Sequence, residues 1–257
     1  MNINLSNKNA ADIQQKFSFF TEENWKTEKQ NFNNNLESIF EAKKNETFVI
    51  ASENEIQYLI GLGNQPENFD LQEVASKFSY NNRKKIKAAA TLINSESFNK
   101  NQIENLVKGL FLGTYTYPFK AEHPLFENNF SLIINGISDE ELSDIQLKTI
   151  AICEGQFACM EWLNKPQNFK RVSHISEFLN EISEKYNLKQ TVFDRKKSEE
   201  LGLGAFLSVN QGSSQEAAFT ILEYNSGVEN AKTVGLVGKC VLFDTGGISI
   251  KGSENLH

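Results

Sequence analysis

The sequence holds 257 residues, 39% hydrophobic and 23% charged, with a formal net charge of -7. That composition excludes a disordered chain and a membrane-embedded one. The acidic balance argues against nucleic acid or anionic lipid as a main partner, because phosphate binding draws on a Lys/Arg excess. A chain of this length can bury a core in one or two domains without staples. Cys153, Cys159 and Cys240 are too few and too irregularly spaced for a disulfide framework or a zinc knuckle, and read as reduced thiols. Met1–Lys8 lacks the basic, apolar and small-residue succession of a signal peptide, and no apolar run approaches the roughly 20 residues of a bilayer span. A cytoplasmic protein with no membrane partner is expected.

In chain order, Asn33–Asn35 reads as a loop, and Thr47–Glu53 is rich in β-branched and aromatic residues and predicts a strand. Ile56–Gly61 is a second strand, closed by a Gly-Leu-Gly-Asn turn signal. Asp70–Phe78 has helical spacing, with Asp70 as N-cap and Glu73 three residues on. Lys84–Leu92 has a basic opening and an apolar end. Ile103–Tyr117 is helical, with Ile103, Leu106, Val107, Leu110 and Phe111 on one face. Phe130–Ile137 predicts a strand. Asp139, Glu140, Glu141 and Asp144 open a long helix through Trp162, with Ile145, Leu147, Ile150, Ala151 and Ala158 as its apolar positions. Pro166 ends it, because proline disfavours helix in the residue before it. A domain boundary falls near this helix. Ser176–Tyr186 is a further helix, Gln190–Phe193 a strand and Lys196–Gly202 a short helix. Ala205–Val209, Ala217–Tyr224 and Thr233–Phe243 are near-continuous apolar runs, which suit strands covered on both faces. Helices interspersed with strands make the fold class α/β.

The stretch from Val234 to Lys251 carries the chemistry. A strongly apolar run ends in Asp244, Gly246 and Gly247 follow, and Lys251 comes one short apolar step later. Lys239 sits inside the run, where charge is rare unless paired or metal-bound. On an ideal strand, residues five apart point to opposite faces and lie roughly 16 Å apart. Lys239 and Asp244 can therefore share one ion only if the chain bends, and Gly238, Gly246 and Gly247 are where a bend is cheap. Asp-Thr-Gly-Gly is by itself only a turn signal, and Lys251 by itself only a surface lysine. His123, His174 and His257 form no zinc motif. No Gly-x-Ser-x-Gly elbow is present, which speaks against a serine hydrolase on an α/β scaffold.

Val237-Gly-Lys-Cys-Val-Leu-Phe-Asp-Thr-Gly-Gly-Ile-Ser-Ile-Lys251 resembles the Val-Gly-Lys-Gly-x-x-Phe-Asp-Ser/Thr-Gly-Gly-x-x-x-Lys block of the leucyl aminopeptidase family of metallopeptidases. Cys240 departs from it, standing where the family commonly has glycine. Leu201–Ser213, Ala217–Tyr224, Leu163–Asn168 and Gly109–Lys120 are similar to family segments in the same order, so the resemblance runs from about Gly109 onward.

The resemblance implies a small N-terminal α/β (macro-like) domain over 1–143 and a linker helix over 144–165. The first part of an α/β metallo-aminopeptidase catalytic domain, a mixed sheet covered by helices, would follow over 166–257. It implies a hydrolase that releases N-terminal residues from peptides with two divalent metals, Mn or Zn, and a hexamer at full length. By position, Lys239 would bind one metal through a neutral amine, Asp244 would bridge both, and Lys251 would stabilise the oxyanion. The family's remaining ligands, an Asp after the catalytic lysine and an Asp and a Glu in an Asn-Thr-Asp-Ala-Glu-Gly-Arg block, have no counterpart up to His257. The expectation is therefore a fragment that neither binds two metals tightly nor turns over peptides. The competing expectation is a non-catalytic binding or assembly protein on the same scaffold.

Overall fold

The computed structural model describes residues 2–7, 14–32, 39–86, 89–92, 95–117, 129–242, 244 and 249–254. It divides into two compact units, Met1–Glu161 and Trp162–His257.

The first unit is built on a six-stranded sheet. Its strands are β1 (Asn2–Ser6), β2 (Gln15–Thr21), β3 (Thr47–Ala51), β4 (Ile56–Gly63), β5 (Ala89–Leu92) and β6 (Asn129–Ile134). They lie in the order β1-β6-β5-β2-β4-β3, all pairs parallel except β3 with β4. The helices are α1 (Glu22–Glu28), α2 (Asn68–Asn81), α3 (Lys100–Leu112) and α4 (Asp139–Asn164). Parallel neighbours need crossover connections, which is why helices alternate with these strands.

Phe17 and Phe19 from β2, Tyr58, Ile60 and Leu62 from β4, and Leu132 and Ile134 from β6 form one buried cluster. Leu71, Val74 and Phe78 of α2 and Ile103, Leu106 and Leu110 of α3 complete it. Phe17 meets the Phe78 ring edge-on at 5.1 Å. Phe20, Trp25, Phe40, Ala42 and Leu59 make a second, smaller cluster. There the Trp25 indole N–H donates to the Phe40 carbonyl at 2.8 Å, which satisfies the one polar atom the ring buries.

Helix ends follow local chemistry. Thr21 Oγ1 accepts from Asn24 N at 3.0 Å and starts α1. Asn99 and Gln102 form a reciprocal capping box on α3, at 2.9 and 3.0 Å. On α2 the expected cap is displaced. The helix starts at Asn68, and Asp70 Oδ2 accepts from Glu67 N at 2.9 Å, so Asp70 is the third helical residue rather than the N-cap. Gly109 in α3 and Gly113 just past its end let α2 come close. A Cβ at either would stand 2.3 Å from a carbonyl oxygen, of Gln72 and Ser76 respectively.

The α4 face that packs inward is Leu142, Ile145, Thr149 and Cys153, spaced by three and four residues. Leu147, one of the expected apolar positions, is instead exposed. Among the described residues no helix is long and apolar enough to cross a membrane.

The second unit holds α5 (Val172–Tyr186), β7 (Lys189–Phe193), α6 (Arg195–Glu200), α7 (Gly204–Asn210) and β8 (Phe219–Glu223). β7 and β8 pair antiparallel, with Phe193 opposite Phe219 and their rings stacked at 5.9 Å. Asn187 ends α5 in the left-handed region, φ 51°. The apolar run Ala205–Val209 is helix α7 rather than the expected strand. Leu207 N bonds Leu203 O at 3.0 Å, and Phe206 meets the Phe219 ring edge-on. Short apolar runs carry no period that separates the two states, and here a local i to i-4 bond forms. The expected strand Thr233–Phe243 also differs. Residues 233–242 are in no strand, with Val234 78%, Leu236 94% and Val237 101% exposed. A strand needs a neighbour's backbone, and among the described residues none pairs with this segment. The loop Asn33–Asn35 lies outside the described residues.

Candidate functional site

After β8 the chain turns through Asn225–Asn230. Asn225 Oδ1 accepts from Gly227 N at 2.9 Å, and Gly227 has φ 71°. The chain then runs unpaired to Lys239. Because this stretch is not a strand, the separation expected for residues five apart does not arise. Lys239 Nζ donates to Asp244 Oδ2 at 2.6 Å. Lys251 Nζ lies 2.9 Å from the same oxygen. The structure thus brings together the three residues that the sequence singled out. One carboxylate oxygen sits between two ammonium groups, all three side chains open to solvent.

That arrangement sets the electrostatics. The Lys239 hydrogen bond, and then the one from Lys251, hold the Asp244 carboxyl down at about 2. The group is exposed to water, so this is a statement about its charge state, not about folding energy. Gly238 was expected to carry a bend. It has no positive φ, and an added Cβ would meet nothing within 4 Å. Gly246 and Gly247 lie outside the described residues, as do Phe243, His123 and His257.

The other candidate donors are elsewhere in the chain. Cys153 is buried, and desolvation pushes its thiol up to about 12, which suits a small hydrophobe and not a ligand. Cys159 and Cys240 are exposed. His174 lies in the first turn of α5, its Nδ1 3.0 Å from the Phe169 carbonyl oxygen. Among the described residues no group of three or more His, Cys, Asp or Glu could hold a metal. The donor set therefore fits a divalent cation in kind and falls short in number. A carboxylate can bridge two cations, and a lysine nitrogen can ligate once its proton is lost. Two cations need more donors than one carboxylate and one amine.

The sequence did not point to one relay that orders this unit. Gln215 Oε1 accepts from Val172 N at 2.8 Å, and the Gln215 carbonyl accepts from Asn210 Nδ2 at 3.1 Å. Asn210 Oδ1 in turn accepts from Arg195 Nη2. It ties the starts of α5 and α6 to the loop that leads into β8. Three amide or guanidinium groups far apart in sequence give no local signal.

With this geometry in view, residues 157–257 match the model of the cytosol aminopeptidase family, catalytic domain. A probable cytosol aminopeptidase of Rickettsia massiliae (strain Mtu5) is 31% identical over 221 residues, covering 81% of this chain and 44% of the relative. One of Chloroherpeton thalassium is 42% identical over 105 residues, 41% of this chain and 21% of the relative. In fold, the chain resembles the bottromycin maturation enzyme BotP in complex with Mn, with TM-score 0.74 and 19% identity over 96% of this chain and 52% of that one. A tomato leucine aminopeptidase mutant gives TM-score 0.70 and 16% identity over 85% of this chain and 50% of that one. The α/β fold and the matched segment agree, and residues 157–257 are similar to the catalytic domain of the cytosol aminopeptidase family. It spans under half the length of the curated relatives it matches.

Proposed function

We propose that this chain contributes the opening of the active site of a two-metal aminopeptidase that releases N-terminal residues from peptides. The observation that carries the reading is the convergence of Lys239 and Lys251 on Asp244 within the segment that matches the family's catalytic domain. Lys239 would shed its proton and offer its lone pair, and Asp244 would leave the ion pair to bridge two cations. Lys251 would keep its proton and donate to the oxyanion that develops on the substrate carbonyl. The two cations, Mn or Zn, would polarise that carbonyl and acidify a water. The Mn named with BotP supports divalent metal use here.

Among the described residues the site offers one carboxylate and one amine, and the reading takes further ligands to be needed before two cations are held tightly and peptides are turned over. The reading further takes residues 1–143 as an N-terminal domain, 144–165 as a linker helix and 166–257 as the start of the peptidase domain. A cytoplasmic location, peptide substrates and a hexamer at full length complete it.

The test compares two proteins by metal analysis and by release of the N-terminal residue from a leucyl peptide. One is this chain; the other is a version continued through an Asn-Thr-Asp-Ala-Glu-Gly-Arg block. The longer protein is expected to carry two metals per chain and to be active, with Asp244→Asn abolishing both. Full activity in that variant would overturn the assignment.

A further inference from the structure

The edge strand β3 is bonded to β4 on one side and to no strand among the described residues on the other. Its outer row of N–H and C=O groups is a ready template for another strand. Thr47-Phe-Val-Ile-Ala51 contains no charge, no proline and no glycine, and it pairs with β4 over five residues without a bulge. Sheets commonly guard such an edge with lysine, proline or a bulge, and β3 has none of these. Thr47, Val49 and Ala51 are exposed, while Phe48 and Ile50 pack on the Phe20, Trp25 and Phe40 cluster. Two of the flanking acids, Glu46 and Glu55, are engaged within their own chain. Glu46 accepts from Glu41 N and Lys43 N at 3.0 Å each, and Glu55 pairs with Lys16.

We propose that β3 is a self-association edge, pairing antiparallel with β3 of a second copy of this chain about a two-fold axis at Val49. The strand is self-complementary in that register. Thr47 faces Ala51, Phe48 faces Ile50 and Val49 faces itself, so residues of equal burial meet on the same face and no like charges oppose. The two Phe20–Trp25–Phe40 clusters then extend into one apolar layer across the joint. The contact is isologous and closes at two copies. It rests on the first unit alone and is independent of the peptidase reading.

The test uses the full chain with Cys159→Ser and Cys240→Ser, which leaves only the buried Cys153 thiol. Sedimentation across a concentration series is expected to show a monomer–dimer equilibrium. Val49→Lys should weaken it at least about tenfold, with the circular-dichroism melt unchanged. Val49→Cys should give a disulfide-linked dimer under mild oxidation, because residues directly opposed in an antiparallel pair come within bridging distance. Three results would overturn the proposal. One is a monomer at every concentration. Another is a dimer unaffected by Val49→Lys and not cross-linked through Val49→Cys. The last is a chain that stays monomeric while β3 captures an extended peptide.

Discussion

The first unit buries its apolar side chains and the second leaves them open. Among the described residues, the only buried apolar side chain beyond Glu161 is Ala217. The rest of the buried apolar core belongs to the first unit, on its six-stranded sheet, the helices on it and a few loop residues such as Phe40, Ala42 and Ile86. The second unit instead shows a two-stranded sheet with alternate residues exposed, and large apolar side chains such as Leu163, Val209 and Leu236 stand in solvent. Two strands alone are marginal in water, and three or more with a covered face are needed for independent stability. The candidate site is carried by the less consolidated unit, so folding and chemistry rest on different parts of the chain.

The largest expected effect tests that division directly. Phe17 is fully buried and touches the rings of Tyr58 and Phe78. Phe17→Ala should cost about 3–5 kcal/mol of unfolding free energy. Phe206→Ala, in the half-buried contact with Phe219, should cost under about 1 kcal/mol. Urea unfolding followed by Trp25 fluorescence in a Trp162→Phe background reads the first unit, and by Trp162 fluorescence in a Trp25→Phe background the second, since the chain has two tryptophans, one in each unit. Equal losses for the two substitutions would erase the contrast.

A smaller effect sharpens it. Gly109→Ala places a methyl group where the Gln72 carbonyl oxygen now lies 2.3 Å from the Cβ position. The α2–α3 pair must part to admit it, at a cost of about 1–3 kcal/mol. The same change at Gly204, where nothing lies within 4 Å of an added Cβ, should stabilise slightly or leave the melt unmoved. The two variants compared by thermal melts show whether close packing is confined to the first unit.

Legibility followed the same line. Helices α3, α4 and α5 and strands β3, β4 and β7 were visible because their periods are local. β2 was not, because two of its polar residues are buried by distant partners. Gln15 Nε2 donates to the Lys85 carbonyl, and Ser18 Oγ accepts from Gln57 Nε2. No window along the chain reveals those bonds. In the second unit the reading assumed that apolar runs become covered strands. Residues 233–242 lack a partner backbone among the described residues, so the premise fails there, and with it the ideal-strand geometry from which a bend between Lys239 and Asp244 was required. The candidate residues Lys239, Asp244 and Lys251 were picked out by their resemblance to a family block, which needs no conformation to be recognised.

The smallest effect concerns the site. Asp244 is ionised while held by two ammonium groups, and its carboxyl lies at about 2, below the usual carboxylate value near 4. A folded value below the unfolded one means the ion pairs are complete above pH of about 4 and are lost as pH falls through about 2. Removing one donor should move the carboxyl up without abolishing the other contact. Lys251→Ala leaves the Lys239 hydrogen bond, so the titration midpoint should rise by less than in Lys239→Ala, because Lys239 supplies the larger share. Carbon-13 NMR of the Asp244 carboxyl reads both variants. An unchanged midpoint in both would mean that the three side chains do not share one oxygen in solution, and the contrast between a consolidated scaffold and a preassembled site on the open unit would fail at the site.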